Sequence, residues 1–314
     1  MRKNRTGWVY DEAYLTPVFE ARHPEQPARV MAISRAIISS RMHDHLRMLK
    51  PQLNNNRLVD DAIRLIHDEQ HIRALQASYS PEIVQLARLA VGGALTAVDA
   101  VLTGNLENVF VCSRPPGHHA RNTGREEGFC FYNQVSIAAR YAQKIHRARR
   151  ILIVDWDYHH GDGTEHFFYD DASVLVFNTY DPQAYPQVGD PARTGSGAGL
   201  GYNINVPLAC GASDAQIEQA FRRILIPAAN RFKPELILIS CGFDSRIDDR
   251  LGCFAITDDG YRTMTRIVMD IASRHCNGRI VSVLEGGYNL DGLAAASIAH
   301  VGTLLEHQSP RQGR

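Results

Sequence analysis

Five short runs of aliphatic and β-branched residues, interleaved with amphipathic helical stretches, constrain this chain more than any other feature. VFVCS (109–113), ILIVD (151–155), VLVFN (174–178), LILIS (236–240) and IVSVL (280–284) are too uniformly apolar to leave one face in water. Each therefore reads as a strand buried on both sides. Between them the helical period predicts helices over roughly 83–103, 132–147, 214–230, 258–275 and 292–306, long enough to cross over between parallel strands. The expected fold is α/β: a three-layer αβα arrangement around a mostly parallel central sheet. No internal repeat breaks the pattern, so 1–314 reads as a single domain with a flexible tail at 307–314 (HQSPRQGR).

Charge and cysteine usage narrow the function classes. Thirty-four Lys+Arg balance thirty-four Asp+Glu, so no global positive field is available to hold a polyanion, and nucleic-acid binding is not expected. The N-terminal MRKNRTGWVYDEAYL is basic but lacks an apolar core, and the apolar stretch 86–102 is interrupted by Arg88 and Asp99; neither export nor membrane insertion is expected. Six widely spaced cysteines without a C-x-x-C pair suit buried thiols and a reducing cytoplasm.

In a parallel α/β sheet ligands bind beyond the carboxyl ends of the strands. Four of the five runs are followed there by chemically active residues. After VFVCS come Arg114, two prolines, Gly117, His118 and His119; after ILIV come Asp155, Asp157, His159, His160 and Asp162. After LILIS come Cys241, Gly242 and Asp244, and after IVSVL come Glu285, Gly286, Gly287 and Tyr288. Topology alone predicts that the four clusters share one rim.

Asp157 and His159 lie two apart at a strand end, where alternate side chains point the same way. They can share one ion. Asp244, just after a flexible glycine, is the best third ligand, and three protein ligands with one open position describe a catalytic divalent site. Two carboxylates and an imidazole suit Zn²⁺ and tolerate Fe²⁺ or Mn²⁺. A plain polar turn is the bland alternative, yet so many acids beside an apolar strand would be costly to bury without a cation or proton partner. A calcium loop fails because His160 stands where its glycine belongs and His166 where its glutamate belongs. His118 and His119, on a turn stiffened by two prolines, are placed to handle protons, with Asp155 and Asp162 as carboxylate partners. Tyr288 can bring a phenol to the same rim and donate to a developing oxyanion.

Together RPPGHHA (114–120), GFCFYN (128–133), DWDYHHGDGT (155–164), CGFDS (241–245) and LEGGYN (284–289) resemble the histone deacetylase family on its arginase-like fold. The resemblance runs from TGWVYDEAYL and HPEQPARV to the last helix and is nearest the class II branch and its bacterial relatives. It implies that Asp157, His159 and Asp244 hold zinc. It implies that His119, backed by Asp162, takes a proton from the attacking water and returns one to the leaving amine, that His118 with Asp155 is its electrostatic partner, and that Tyr288 polarises the acetyl carbonyl. Phe129, Tyr185, Leu251 and Gly286 would line a tunnel for the lysine methylenes, Gly128 would accept the amide N–H, and Arg29 would guide departing acetate. Bound potassium is implied near Asp155, Asp157, His159, Val176 and Phe177, and again near Phe168, Asp171, Val174 and Tyr202.

Three departures stand out. Val176, Phe177 and Asn178 replace a run that supplies a hydroxyl ligand in many relatives, Tyr185 stands for a tunnel phenylalanine, and the segment 67–83 is short for a substrate-gripping loop and holds no backbone-binding acid. The expected reaction is hydrolysis of N-ε-acetyl-lysine in a peptide or protein to lysine and acetate. Acetylpolyamine or other small acylamine hydrolysis is the runner-up, disfavoured because Leu251 stands where polyamine-selective relatives have a glutamate. A non-catalytic acyl-lysine binder is the third reading, and the intact histidine pair, metal set and Tyr288 oppose it. A dinuclear ureohydrolase lacks the aspartates for a second metal. The oligomeric state stays open, a homo-oligomer included.

Overall fold

Strands form where the apolar runs predict them, and the sheet they build is wholly parallel. The computed structural model describes residues 5–52 and 56–306, so the tail expected at 307–314 lies outside the described residues. In chain order the elements are β1 (Thr6–Val9), α1 (Ala28–Ser39), β2 (Arg47–Leu49), α2 (Asn56–Ile63), α3 (Glu69–Ser78), α4 (Pro81–Leu102), β3 (Asn108–Val111), α5 (Gln134–His146) and β4 (Ile151–Asp155). Then follow α6 (Asp162–Phe168), β5 (Val174–Tyr180), β6 (Asn203–Pro207), α7 (Asp214–Ala220), α8 (Ile226–Phe232), β7 (Leu236–Cys241), α9 (Asp258–His275), β8 (Ile280–Leu284) and α10 (Leu290–Glu306). The strand order is β2-β1-β3-β8-β7-β4-β5-β6.

Alternation along each strand splits the core in two. Leu152 and Val154 face a cluster built with α1, α7, α8, α9 and α10, and Ile151 and Ile153 face the other, built with α2, α4 and α5. Both faces of the central strands are thereby covered, which accounts for their predominantly apolar sequence. Ser80 caps α4 and Pro81 opens it, an arrangement that supplies an acceptor for the first turn and needs no N–H at the helix start. By length and composition α4 is apolar enough to cross a membrane, and 67% of its apolar window is buried inside the protein.

Several expectations are corrected. β1, β2 and β6 were not anticipated: β1 and β2 are only four and three residues long, and β6 is an edge strand interrupted by Asn203 and Asn205. Helices α1, α2, α3 and α6 were also unforeseen; the 67–83 segment is mostly α3, capped by Asp68, whose side chain accepts the His71 N–H at 2.7 Å. The single helix expected over 214–230 is broken by a π-helical turn at Phe221–Leu225, just ahead of Pro227, which has no N–H for a regular helical bond. Cys112, Cys130, Cys241 and Cys276 are buried thiols as expected, but Cys210 and Cys253 are not. They sit on two surface loops that meet, and are joined as a disulfide with Cα atoms 5.2 Å apart.

Candidate active site

The four chemically active segments leave four adjacent strands, β3, β8, β7 and β4. Register keeps their ends level: Asp155 pairs with Ser240, Cys241 with Leu284 and Val111 with Val283. The side chains that follow therefore meet over the middle of the sheet.

Asp157, His159 and Asp244 bring one ligand atom each to within 4.8 Å of the others. His159 Nδ1 lies 3.1 Å from Asp157 Oδ1 and 3.1 Å from Asp244 Oδ2. Backbone N–H groups aim the remaining carboxylate oxygens: Gly286 donates to Asp157 at 2.8 Å and Tyr158 to Asp244 at 2.9 Å. Burial and the neighbouring Asp157 push Asp244 up to about 7. Burial disfavours charge on His159, but its hydrogen bonds to the two carboxylates outweigh that and raise it to about 10. Two fully buried carboxylates converging on one imidazole concentrate negative charge in the interior, which a divalent cation compensates. The donor set fits such an ion. Gly286 is required by closeness, since a Cβ there would stand 2.0 Å from Asp244 Oδ2.

His118 and His119 occupy the turn after β3, both buried. His118 Nδ1 lies 3.0 Å from Asp155, and His119 Nδ1 lies 2.7 Å from Asp162. Burial disfavours a charge on each ring, but their surroundings differ. At His118 the fields of Asp155, Asp157 and Glu285 outweigh burial and hold the ring well above its ordinary value. At His119 burial, reinforced by His118, brings the ring down to about 3 despite Asp162. The charged form is thus favoured at His118 and disfavoured at His119.

Tyr288 reaches the same space. Burial pushes its phenol well above the ordinary value, with Arg29 opposing, so it remains an O–H donor. A cavity of about 570 Å³ is lined by His118, His119, His159, Tyr288, Gly128, Phe129, Tyr185, Leu251 and Gly286, and also by Pro116, Glu126, Tyr158 and Ala184. Every tunnel residue expected from sequence is in this wall. Tyr185 stands edge-on to His119 with ring centroids 4.9 Å apart, and Phe129 is edge-on to Tyr288 at 6.0 Å. Gly128 and Phe129 both adopt positive φ, 54° and 70°.

Arg29 is buried beneath Tyr288, its guanidinium 4.8 Å from the ring centroid. Its nitrogens donate to the carbonyls of Gly287 (2.7 Å) and Glu285 and to Glu25 (3.3 Å), so it braces the Gly-Gly-Tyr turn. Of the residues implied for potassium, Val176 and Phe177 lie on β5 beside β4, one step before Asn178 pairs with Asp155. Phe168, Asp171, Val174 and Tyr202 gather at the start of β5, where the Asp171 carboxylate is paired with Arg140 at 2.5 Å. That pair already neutralises the one acid in the second set.

Sequence reasoning missed four supports. Glu25 forms a buried pair with Arg114 at 2.6 Å, tying the HPEQPARV segment to the histidine turn. Glu285 accepts from the backbone of Gly117 at 2.6 Å and His118 at 3.2 Å. Asp249 accepts from Tyr288, Asn289 and Leu251 at 2.7, 3.0 and 2.9 Å. Glu126 lines the cavity. The only available signal was adjacency to a recognised motif.

Comparison with known proteins agrees with this geometry. A family model described as "Histone deacetylase domain" matches residues 23–304. The chain is 36% identical to a "Probable deacetylase" of Archaeoglobus fulgidus over 91% of this chain and 82% of that protein. It is 35% identical to "Histone deacetylase 6" of Caenorhabditis elegans over 92% of this chain, but spans only 32% of that relative's length. It is 40% identical to human "Polyamine deacetylase HDAC10" over 74% of this chain and 35% of that protein. The solved "Crystal Structure of HDA15 HD domain" superposes with a TM-score of 0.88 at 31% identity, covering 98% of this chain and 90% of that one. The chain belongs to the histone deacetylase family.

Proposed function

We propose that this protein hydrolyses N-acetyl amides with the help of a divalent ion, zinc by preference, and that its substrate is N-ε-acetyl-lysine in a peptide or protein, released as lysine and acetate. The single observation that carries the proposal is that the Asp157, His159 and Asp244 cluster opens, through His159, on the one cavity that His118, His119 and Tyr288 line. Asp157, His159 and Asp244 would hold the ion. When bound, it supplies positive charge that acidifies water and polarises a carbonyl.

The rest is done by the chain's own groups. His119 donates its Nδ1–H to Asp162, which leaves Nε2 as the basic nitrogen and fixes the ring. A neutral His119 takes the proton of the attacking water at Nε2 and delivers it to the leaving amine nitrogen. Cationic His118, held by Asp155, stabilises negative charge as it develops. Tyr288 donates its phenol O–H to the acetyl oxygen as that oxygen becomes an anion. Phe129 and Tyr185 exclude water from the methylene chain between them. Arg29, beneath the Gly-Gly-Tyr turn, would meet the departing acetate. Potassium would act through structure, beside Asp155 and the β5 backbone.

The test is acetate release from a panel of acetylated peptides, with metal content measured on the same preparation. Wild-type protein carrying one equivalent of zinc hydrolyses acetyl-lysine, and Asp244→Asn loses both zinc and turnover. An Asp244→Asn protein that keeps its zinc and its rate would overturn the assignment.

A further inference from the structure

Among the described residues that line the catalytic cavity, Glu126 is the one carboxylate. It stands just before the Gly128 and Phe129 pair, on a segment the sequence reading left without a function. Its neighbours hold it in place without neutralising it. The Phe129 N–H donates to one Glu126 carboxylate oxygen, and the Glu126 N–H meets the Tyr79 hydroxyl at 3.0 Å. Tyr79 is itself fixed edge-on against Phe131, with centroids 5.0 Å apart. Among the described residues no lysine, arginine or histidine forms an ion pair with Glu126, whereas adjacent Glu127 is paired with Arg121.

The wall around it is otherwise aromatic, aliphatic or backbone: Phe129, Tyr185, Leu251, Gly128 and Ala184. Arg121 is committed to Glu127 and Asp162. The negative field is felt locally. The Tyr185 phenol is pushed up to about 12 by burial, then by Asp162, the Cys130 thiol, Glu127 and Glu126. A carboxylate without an ion-pair partner, set among aromatic and aliphatic side chains above the histidine floor, attracts a cation and repels an anion, and does so more strongly where surrounding apolar surface thins the water.

We propose that Glu126 selects for acylated amines that carry a second positive charge beyond the scissile amide, an ammonium group lying alongside the cavity wall when the acetyl group is at its floor. This rests on the deacetylase reading above and sharpens its substrate class. Leu251 argued against a charged mouth from the β7–α9 side; Glu126 supplies the charge from the β3–α5 side. A polyamine chain and a peptide with a basic residue beside the acetyl-lysine present the same ammonium chemistry.

The experiment compares kcat/KM for acetylspermidine, an acetyl-lysine peptide with a neighbouring lysine, and a capped acetyl-lysine peptide with no other charge, in wild type and Glu126→Gln. Glutamine keeps an oxygen for the Phe129 N–H and removes only the charge. The ratio of cationic to neutral kcat/KM should exceed one in wild type and fall about fivefold in Glu126→Gln, and the wild-type preference should shrink with added salt. Which cationic substrate loses more identifies the source of the ammonium group. Equal losses on all three substrates would assign Glu126 to holding the Phe129 turn and overturn the proposal, as would an unchanged ratio. If wild type cleaves none of the three, the deacetylase reading itself fails; if it cleaves all three with no charge preference, only the role of Glu126 does.

Discussion

Tyr288 shows how a single side chain acquires a task from its surroundings. A tyrosine after two glycines is an ordinary turn residue in sequence, but here its ring lies on the Arg29 guanidinium and its phenol is kept protonated by burial. Removing only the hydroxyl leaves the packing and the metal ligands untouched. Tyr288→Phe should therefore lower kcat about 10²–10³-fold, the usual cost of losing one oxyanion donor, with zinc content unchanged by metal analysis. A rate within a few-fold of wild type would remove Tyr288 from the proposed mechanism. Residue identity at the candidate metal site was legible because two acids and a histidine at strand ends have few cheap structural uses. The supports Glu25, Glu285 and Asp249 were not legible, because an acid whose partners are backbone N–H groups or a distant arginine leaves no local pattern.

At the level of elements, the loop after β7 supports the turn after β8. Asp249 accepts three backbone N–H groups, two of them at Tyr288 and Asn289, so the position of the phenol depends on a neighbouring loop. Asp249→Ala would leave these donors without their acceptor, at about 1–3 kcal/mol for each that stays buried. We expect kcat to fall about tenfold or more with KM changed little, and Asp249→Asn, which retains an acceptor oxygen, to recover part of the loss. An Asp249→Ala enzyme with wild-type kcat would show that the turn is held by Arg29 and Glu285 alone. The five strands at the centre of the sheet were legible at this scale; the edge strands β2 and β6 and the four-residue buried strand β1 were not. β3, β4, β5, β7 and β8 are covered on both faces and so are predominantly apolar, whereas β2 is largely exposed and β6 carries two asparagines that bond Glu165 at 2.9 and 2.6 Å.

Across the molecule as a whole, buried neutral histidines link folding to pH. Burial takes His300 from 6.5 down to about 3, and burial together with His71 takes His67 down to about 3. His300 bridges Thr265 at 2.8 Å and Ser282 at 2.9 Å, so α9, β8 and α10 are joined through an uncharged ring. Because the unfolded chain binds these protons more readily, the stabilisation is fully present above pH 6.5 and is lost as the pH falls toward 3. Each ring adds a slope of about 1.4 kcal/mol per pH unit in that window. Urea unfolding between roughly pH 6 and pH 4 should show it, and His300→Gln should flatten the dependence by about one such increment. An identical slope in the variant would mean that His300 does not titrate on unfolding.

The amino-acid sequence alone determined the strand cores, the αβα layering, the candidate metal ligands and histidine pair, and the family, because periodicity and motif spacing are local properties written along the chain. Folding decided that β8 and β7 insert between β3 and β4, which is what brings four motifs scattered over 175 positions, from Arg114 to Tyr288, onto four neighbouring strand ends. It also decided that Asp249 supports the tyrosine turn, that Cys210 meets Cys253, and that Glu126 faces the cavity while Glu127 is paired away. Each of these depends on which surfaces a crossover lays against which, and two adjacent acids of the same type can be told apart only by what stands opposite them in space.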